Sequence, residues 1–177
     1  MIIKSFEVNK LNLKKTPFVL LYGKNDGLKK EIKKNILKNK IITSNYEEKE
    51  IIDNLDNFIE ELNTKSLFEE EKLITINRAS DKILKTLSEI IDKNNGDLII
   101  IVDAENLEKK SKLRSFFEKE KNCACIPVYP DTQTTLSKIA FDYLNKRKIP
   151  ISSSNVNIII NRCNGDRKIL LMELEKI

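Results

Sequence analysis

The sequence predicts an α/β protein: a doubly wound domain with a parallel sheet, followed by a small all-helical domain. Two observations carry this. From Phe18 to Tyr129, short apolar runs alternate with stretches of helical period, the order of elements that builds a parallel sheet with helices on both sides. After Pro127 and Pro130 the strand-like runs stop and only helical patterns follow.

The first unit is Phe18-Val19-Leu20-Leu21-Tyr22, a run of the buried-strand kind ended by Gly23, with a lysine-rich helix over Leu28 to Leu37. A second strand is expected over Ile41 to Tyr46. Next, Ile51, Ile52, Leu55, Phe58, Ile59 and Leu62 recur at helical spacing between acids and predict one long amphipathic helix. A strand over Leu73 to Ile76, a helix near Asp81 to Asp92, a strand over Leu98 to Val102, a helix near Lys110 to Lys119 and a strand over Ala124 to Tyr129 complete five strands and four helices. This places the first domain at residues 1–130. In the domain at 131–177, Asp131-Thr132 can cap a helix with the apolar face Leu136, Ile139, Ala140, Tyr143 and Leu144. Ile149-Pro150 breaks it, Ser152-Ser153-Ser154 can cap a second helix through Val156, Ile159 and Ile160, and Gly165-Asp166 starts a third, running from Ile169 to Ile177. That last helix carries an apolar stripe of Ile169, Met172, Leu174 and Ile177 where the chain stops, which suggests a shortened chain or a missing C-terminal domain.

Composition narrows the class without naming a partner. With 177 residues, 40% hydrophobic and 33% charged, the chain can bury a core. Its apolar runs extend to about five residues against the roughly 20 of a membrane span, and Met1-Ile2-Ile3-Lys4 opens no secretory leader. A cytoplasmic protein with no membrane partner is expected. Net charge is +5, from 32 basic and 27 acidic residues, but lysines and acids alternate along the chain instead of forming one basic block. Cys123, Cys125 and Cys163 are expected to be reduced and buried; with no histidine, a zinc site would have to join the cysteines to a carboxylate, and none is expected.

Catalytic constellations are incomplete. A phosphate-binding loop needs G-x-x-x-x-G-K-[ST]: glycines let backbone N–H groups wrap phosphate, the lysine neutralises it and the hydroxyl holds magnesium. Gly23-Lys24-Asn25-Asp26-Gly27-Leu28-Lys29-Lys30 keeps the lysine as Lys29, but Leu28 replaces the second glycine and Lys30 the hydroxyl. On residue chemistry alone, Lys29 belongs to a solvated helix face. The strand Leu98-Ile99-Ile100-Ile101-Val102-Asp103 looks like a Walker B strand, whose aspartate reaches a metal and whose following glutamate positions water. Ala104 takes the glutamate's place, Glu105 is one residue too far on, and Asp103 can equally cap a turn. Without histidine there is no Ser-His or Cys-His pair either.

The decayed loop after Phe18 to Tyr22, the Walker B-like strand, and a three-helix end carrying Gly165-Asp166-Arg167 and Glu173-Leu174-Glu175-Lys176 resemble the delta-subunit family of bacterial DNA polymerase III clamp loaders. Lys65-Ser66-Leu67-Phe68-Glu69 before the strand Lys72 to Ile76, and Leu107 to Leu113 after the Walker B-like strand, resemble that family's segments, so the likeness spans essentially the whole chain. It implies an AAA+-type, P-loop NTPase-like fold with a degenerate nucleotide site at Gly23, Lys29, Asp103 and Lys168, a three-helix lid and no cofactor of its own. By similarity the arginine-finger motif falls on Cys123-Ala124-Cys125, and the lid's sensor arginine on Lys168, beside Arg167. The family also has a C-terminal collar domain, and this sequence ends before it.

The resemblance further implies a subunit of the DNA polymerase III holoenzyme that binds and opens the beta sliding clamp without hydrolysing ATP. Its other partners would be the remaining clamp-loader subunits, and DNA through the assembled complex. The clamp-binding wedge falls on Leu67 and Phe68, with Ser66 before them. Spacing alone favours this pair as core closure beneath the long helix; the resemblance reverses that. The rival readings are an active AAA+ or P-loop ATPase using Lys29 and Asp103, and a basic DNA-binding domain.

Overall fold

A computed structural model describes residues 1–37, 44–63, 72–93 and 98–177. The strands are β1 (Phe18–Tyr22), β2 (Ser44–Glu47), β3 (Lys72–Asn77), β4 (Leu98–Ala104) and β5 (Cys123–Pro127). The helices are α1 (Asp26–Leu37), α2 (Glu48–Asp53), α3 (Leu55–Asn63), α4 (Leu84–Lys93), α5 (Lys112–Lys119), α6 (Gln133–Lys146), α7 (Ser153–Arg162) and α8 (Arg167–Leu174). The chain divides into two compact units, Met1–Gly23 with Ile32–Pro127, and Lys24–Glu31 with Val128–Ile177. The segment Lys24–Glu31, expected within residues 1–130, groups with the second unit through Asn25, Gly27 and Glu31, whose neighbours are described below.

In the first unit the five strands form one sheet in the order β2-β3-β4-β1-β5, with every pair parallel. β1 lies between two strands, with Leu20 opposite Val102 on one side and Cys125 on the other. Such a strand is covered on both faces, and this explains why its residues read as a continuous apolar run without alternation. Phe18, Leu20, Ile74, Ile76, Ile100, Val102, Cys123 and Cys125 pack one face against Ile51, Phe58, Leu87, Leu113 and Phe117 of the helices. Val19, Leu21, Ile99, Ile101, Ala124 and Ile126 alternate with these and are equally buried. The outer edge of β5 is closed by the N-terminus: Ile3 donates its N–H to Cys125 O at 2.9 Å, and Cys125 N–H bonds Met1 O at 2.8 Å.

One expectation changes in this unit. The single long helix over residues 51–62 is two helices, because Asn54 leaves helical geometry (φ −136°, ψ 52°) between α2 and α3. Ile51 and Phe58 remain buried, while Ile52 and Leu55 are exposed. The second strand is described from Ser44; residues 41–43 lie outside the described residues.

The three cysteines are free and buried. Burial, before any neighbouring charge, pushes the thiols of Cys123 and Cys125 up to about 12, so both stay protonated at neutral pH. Among the described residues, no helix is long and apolar enough to cross a membrane.

Asp81 sits in a short 3-10 turn before α4 and serves the N-terminus of α5. Its carboxylate accepts from Leu113 N at 2.9 Å, Ser111 Oγ at 2.7 Å and Lys112 N at 3.0 Å. The Leu113 bond, then that from Ser111, holds its pKa below the usual aspartate value. A depressed folded-state pKa gives stability that is present above the unfolded value of about 3.9 and lost as pH falls through the folded one. Asp81→Ala is therefore expected to lower stability at pH 7 by less than about 1 kcal/mol, since solvent screens an exposed carboxylate. In urea titrations, the gap between variant and wild type should close below about pH 4.

The second unit has its own core of Leu136, Ala140, Leu144, Val156, Ile160, Cys163, Leu170 and Leu174. The hydroxyl caps expected from sequence are present: Thr132 accepts from Thr135 N at 3.2 Å and Ser152 from Asn155 N at 3.2 Å. Asp166 caps α8 by accepting from Lys168 N and Ile169 N. Asn164 and Gly165 make the turn into α8 at φ 48° and 78°, the left-handed region that glycine enters freely. Of the apolar stripe expected on the last helix, Leu174 is buried and the other three residues are not. Leu170 and Leu174, four residues apart, are the inward pair, while Ile169, Met172 and Ile177 are exposed.

Candidate functional site

Parallel sheets of this class place ligands at the carboxyl ends of their strands. In the first unit that edge holds Gly23 after β1, Asn77 at the end of β3, and Asp103 near the end of β4. Gly23 has φ 135°, and its N–H donates to Glu105 O at 3.0 Å. Asp103 stands in an ion pair. Its carboxylate takes the ammonium of Lys33 at 2.6 Å, with about four-fifths of both side chains buried. Lys33 also reaches Asn77 Oδ1 at 3.5 Å, and Asn77 donates to Asn45 Oδ1 of β2 at 2.9 Å. Ala104, where a catalytic glutamate would stand, is fully buried, and Glu105 is exposed.

In the second unit, the start of α1 has its own acceptors. Asn25 Oδ1 accepts from Leu28 N at 3.0 Å, and Lys29 N bonds Asn25 O at 3.0 Å. Lys29 is a correction to the sequence reading. Its side chain is buried, 4% of the residue exposed, and not on a solvated face; Asp26 lies 3.6 Å from its ammonium.

The two adjacent basic residues at the start of α8 differ in burial. Lys168 is exposed, and Arg167 before it is buried. Arg167 grips Asp131 in a fork, Nε to Oδ2 at 2.8 Å and Nη2 to Oδ1 at 2.6 Å, and its Nη1 donates to Glu31 at 2.6 Å. Burial opposes its charge most strongly, but the hydrogen bond and charge of Asp131, then Glu31, outweigh it and raise the pKa. Asn25 Nδ2 donates to the same Asp131 at 2.7 Å and to Tyr129 O at 3.1 Å. Asp131, read from sequence as a helix cap, is thus the acceptor for Arg167 and Asn25, and Thr132 does the capping. Gly27 permits this approach: a Cβ there would lie 2.9 Å from Lys168 N.

The N–H groups of Gly23, Leu28 and Lys29 already have protein acceptors, and the Walker B-type carboxylate already has an ammonium on it. Ala124 is fully buried within β5. Ser66, Leu67 and Phe68 lie outside the described residues. Lys33, Asn77, Asp131 and Glu31 were missed by sequence reasoning; the one available signal was Lys33, one helical turn after Lys29.

A parallel five-stranded sheet in this order, with α1 following the glycine-ended β1, is an AAA+-like fold. A family profile described as DNA polymerase III, delta subunit, matches residues 19–126, and the chain belongs to that family. It is 24% identical over 161 residues to the probable DNA polymerase III subunit delta of Rickettsia prowazekii (strain Madrid E), covering 90% of this chain and 49% of the relative. The chain thus spans about half the length of the curated relative it matches. The solved structure of the Bacillus subtilis DNA clamp loader delta protein (YqeN) is similar in fold, with a TM-score of 0.65 at 17% identity over 97% of this chain and 56% of that one.

Proposed function

We propose that the chain forms the front part of a cytoplasmic delta subunit that binds the beta sliding clamp and opens one of its interfaces during DNA replication, leaving ATP hydrolysis to partner subunits of the clamp loader. Membership of the delta-subunit family over residues 19–126 is the observation that carries this reading. The absence of hydrolysis is supported by four altered positions, Leu28, Lys30, Ala104 and Ala124, and by the ion pair of Lys33 with Asp103. In this reading residues 1–130 form the AAA+-like body, residues 131–177 the lid, Leu67 and Phe68 with Ser66 the clamp-binding wedge, and DNA is met through the assembled complex.

Two titrations test it. By surface plasmon resonance, the purified chain is expected to bind immobilised beta clamp saturably; no binding at micromolar concentration would overturn the clamp assignment. Calorimetric titration with ATP and magnesium is expected to give no heat of binding. A micromolar, magnesium-dependent isotherm would reinstate the ATPase reading on Lys29 and Asp103.

A further inference from the structure

The Lys33–Asp103 pair has a consequence beyond nucleotide loss, and it rests on the reading that this site no longer holds a nucleotide. Asp103 stands near the carboxyl end of β4, where the geometry of this sheet class brings a carboxylate to a divalent cation. A carboxylate about four-fifths buried needs a cation or hydrogen-bond donors near it. The Lys33 ammonium, 2.6 Å from Asp103 Oδ2, also points toward Asn77 Oδ1 at 3.5 Å, and Asn77 is tied to Asn45 at 2.9 Å. One ammonium from α1 therefore gathers oxygens from β4 and β3, and through Asn77 reaches β2. Hard cations such as magnesium gather oxygens in this way.

We propose that Lys33 is a resident cation of the sheet edge, a positioning residue that stands in for a divalent metal and makes the order of β2, β3 and β4 at this end independent of metal. The lysine is four residues beyond the loop lysine position, so it needs only one turn of α1 to be brought in.

The test is a double-mutant cycle in urea with Lys33→Met, Asp103→Asn and the pair together, each run with and without millimolar magnesium. Each single substitution is expected to lower the folding equilibrium constant at least about tenfold, because it leaves one partner buried without the other. The double variant is expected to lose at least about fivefold less than the product of the singles, the signature of direct coupling. Magnesium should leave the wild-type melting temperature unchanged. Multiplicative effects in the cycle would overturn the proposal, as would a magnesium-dependent rise in the wild-type melting temperature that Asp103→Asn abolishes. If a variant does not fold, Lys33→Arg serves as the second probe: it keeps the charge but not the compact ammonium, and should retain more stability than Asp103→Asn. Equal loss in the two would count against the assignment. ATP binding and the cycle report separately, so a failed titration of ATP and a failed cycle remain distinguishable.

Discussion

Arg167→Met is expected to destabilise the second unit by about 3 to 5 kcal/mol, the range seen when one partner of a buried ion pair is removed. The reason lies in what is left. Only 7% of the Arg167 side chain and 4% of Asp131's are exposed, so the variant strands a carboxylate out of water with Asn25 as its remaining side-chain donor. Glu31, half exposed, can turn to solvent and adds little to the loss. Since whole domains are stable by about 5 to 15 kcal/mol, the loss is a large share. Arg167→Lys should recover part of it, because a point charge cannot make the two parallel bonds to Oδ1 and Oδ2. Arg167→Met combined with Asp131→Leu should recover more, by removing the orphaned charge. Urea unfolding followed by far-ultraviolet circular dichroism measures all three; a loss under about 1 kcal/mol in Arg167→Met would show that the pair is no anchor of this unit.

Arg167 also marks where sequence reasoning stops. The strands were readable because β1 and β4 are buried on both faces and so must be apolar throughout, and the caps Thr132, Ser152 and Asp166 were readable because capping is local chemistry. Strand order was not, since the position of β1 between β4 and β5 depends on pairings far apart in sequence. The same limit applies to charged residues. Along Lys29-Lys30-Glu31-Ile32-Lys33-Lys34 every lysine looks solvated, and only tertiary neighbours select Lys29 for burial and Lys33 for Asp103. Likewise Arg167 and Lys168 are adjacent and chemically alike, and the phase of α8 turns one inward and the other to solvent. Three residues of the apolar stripe expected there, Ile169, Met172 and Ile177, likewise face solvent, while Leu174 is buried.

The largest functional effect is expected from the double substitution Leu67→Ala with Phe68→Ala. These residues fall between α3, which ends at Asn63, and β3, which begins at Lys72. Under the proposed function they are an exposed apolar tip that enters a pocket on the clamp, the kind of anchor that dominates an interface. Burying one large apolar side chain contributes about 1.5 to 3 kcal/mol, so losing both should weaken clamp binding by at least about a hundredfold. Folding should be almost unchanged, because an exposed tip leaves no cavity when shortened. If the pair instead closes the core beside α3, each truncation should cost about 2 to 5 kcal/mol of stability and clamp affinity should follow only the folded fraction. Clamp affinity and thermal unfolding measured on the same double variant separate the two. Loss of binding with an unmoved melting temperature supports the wedge, and retained affinity beside a large fall in melting temperature rules it out.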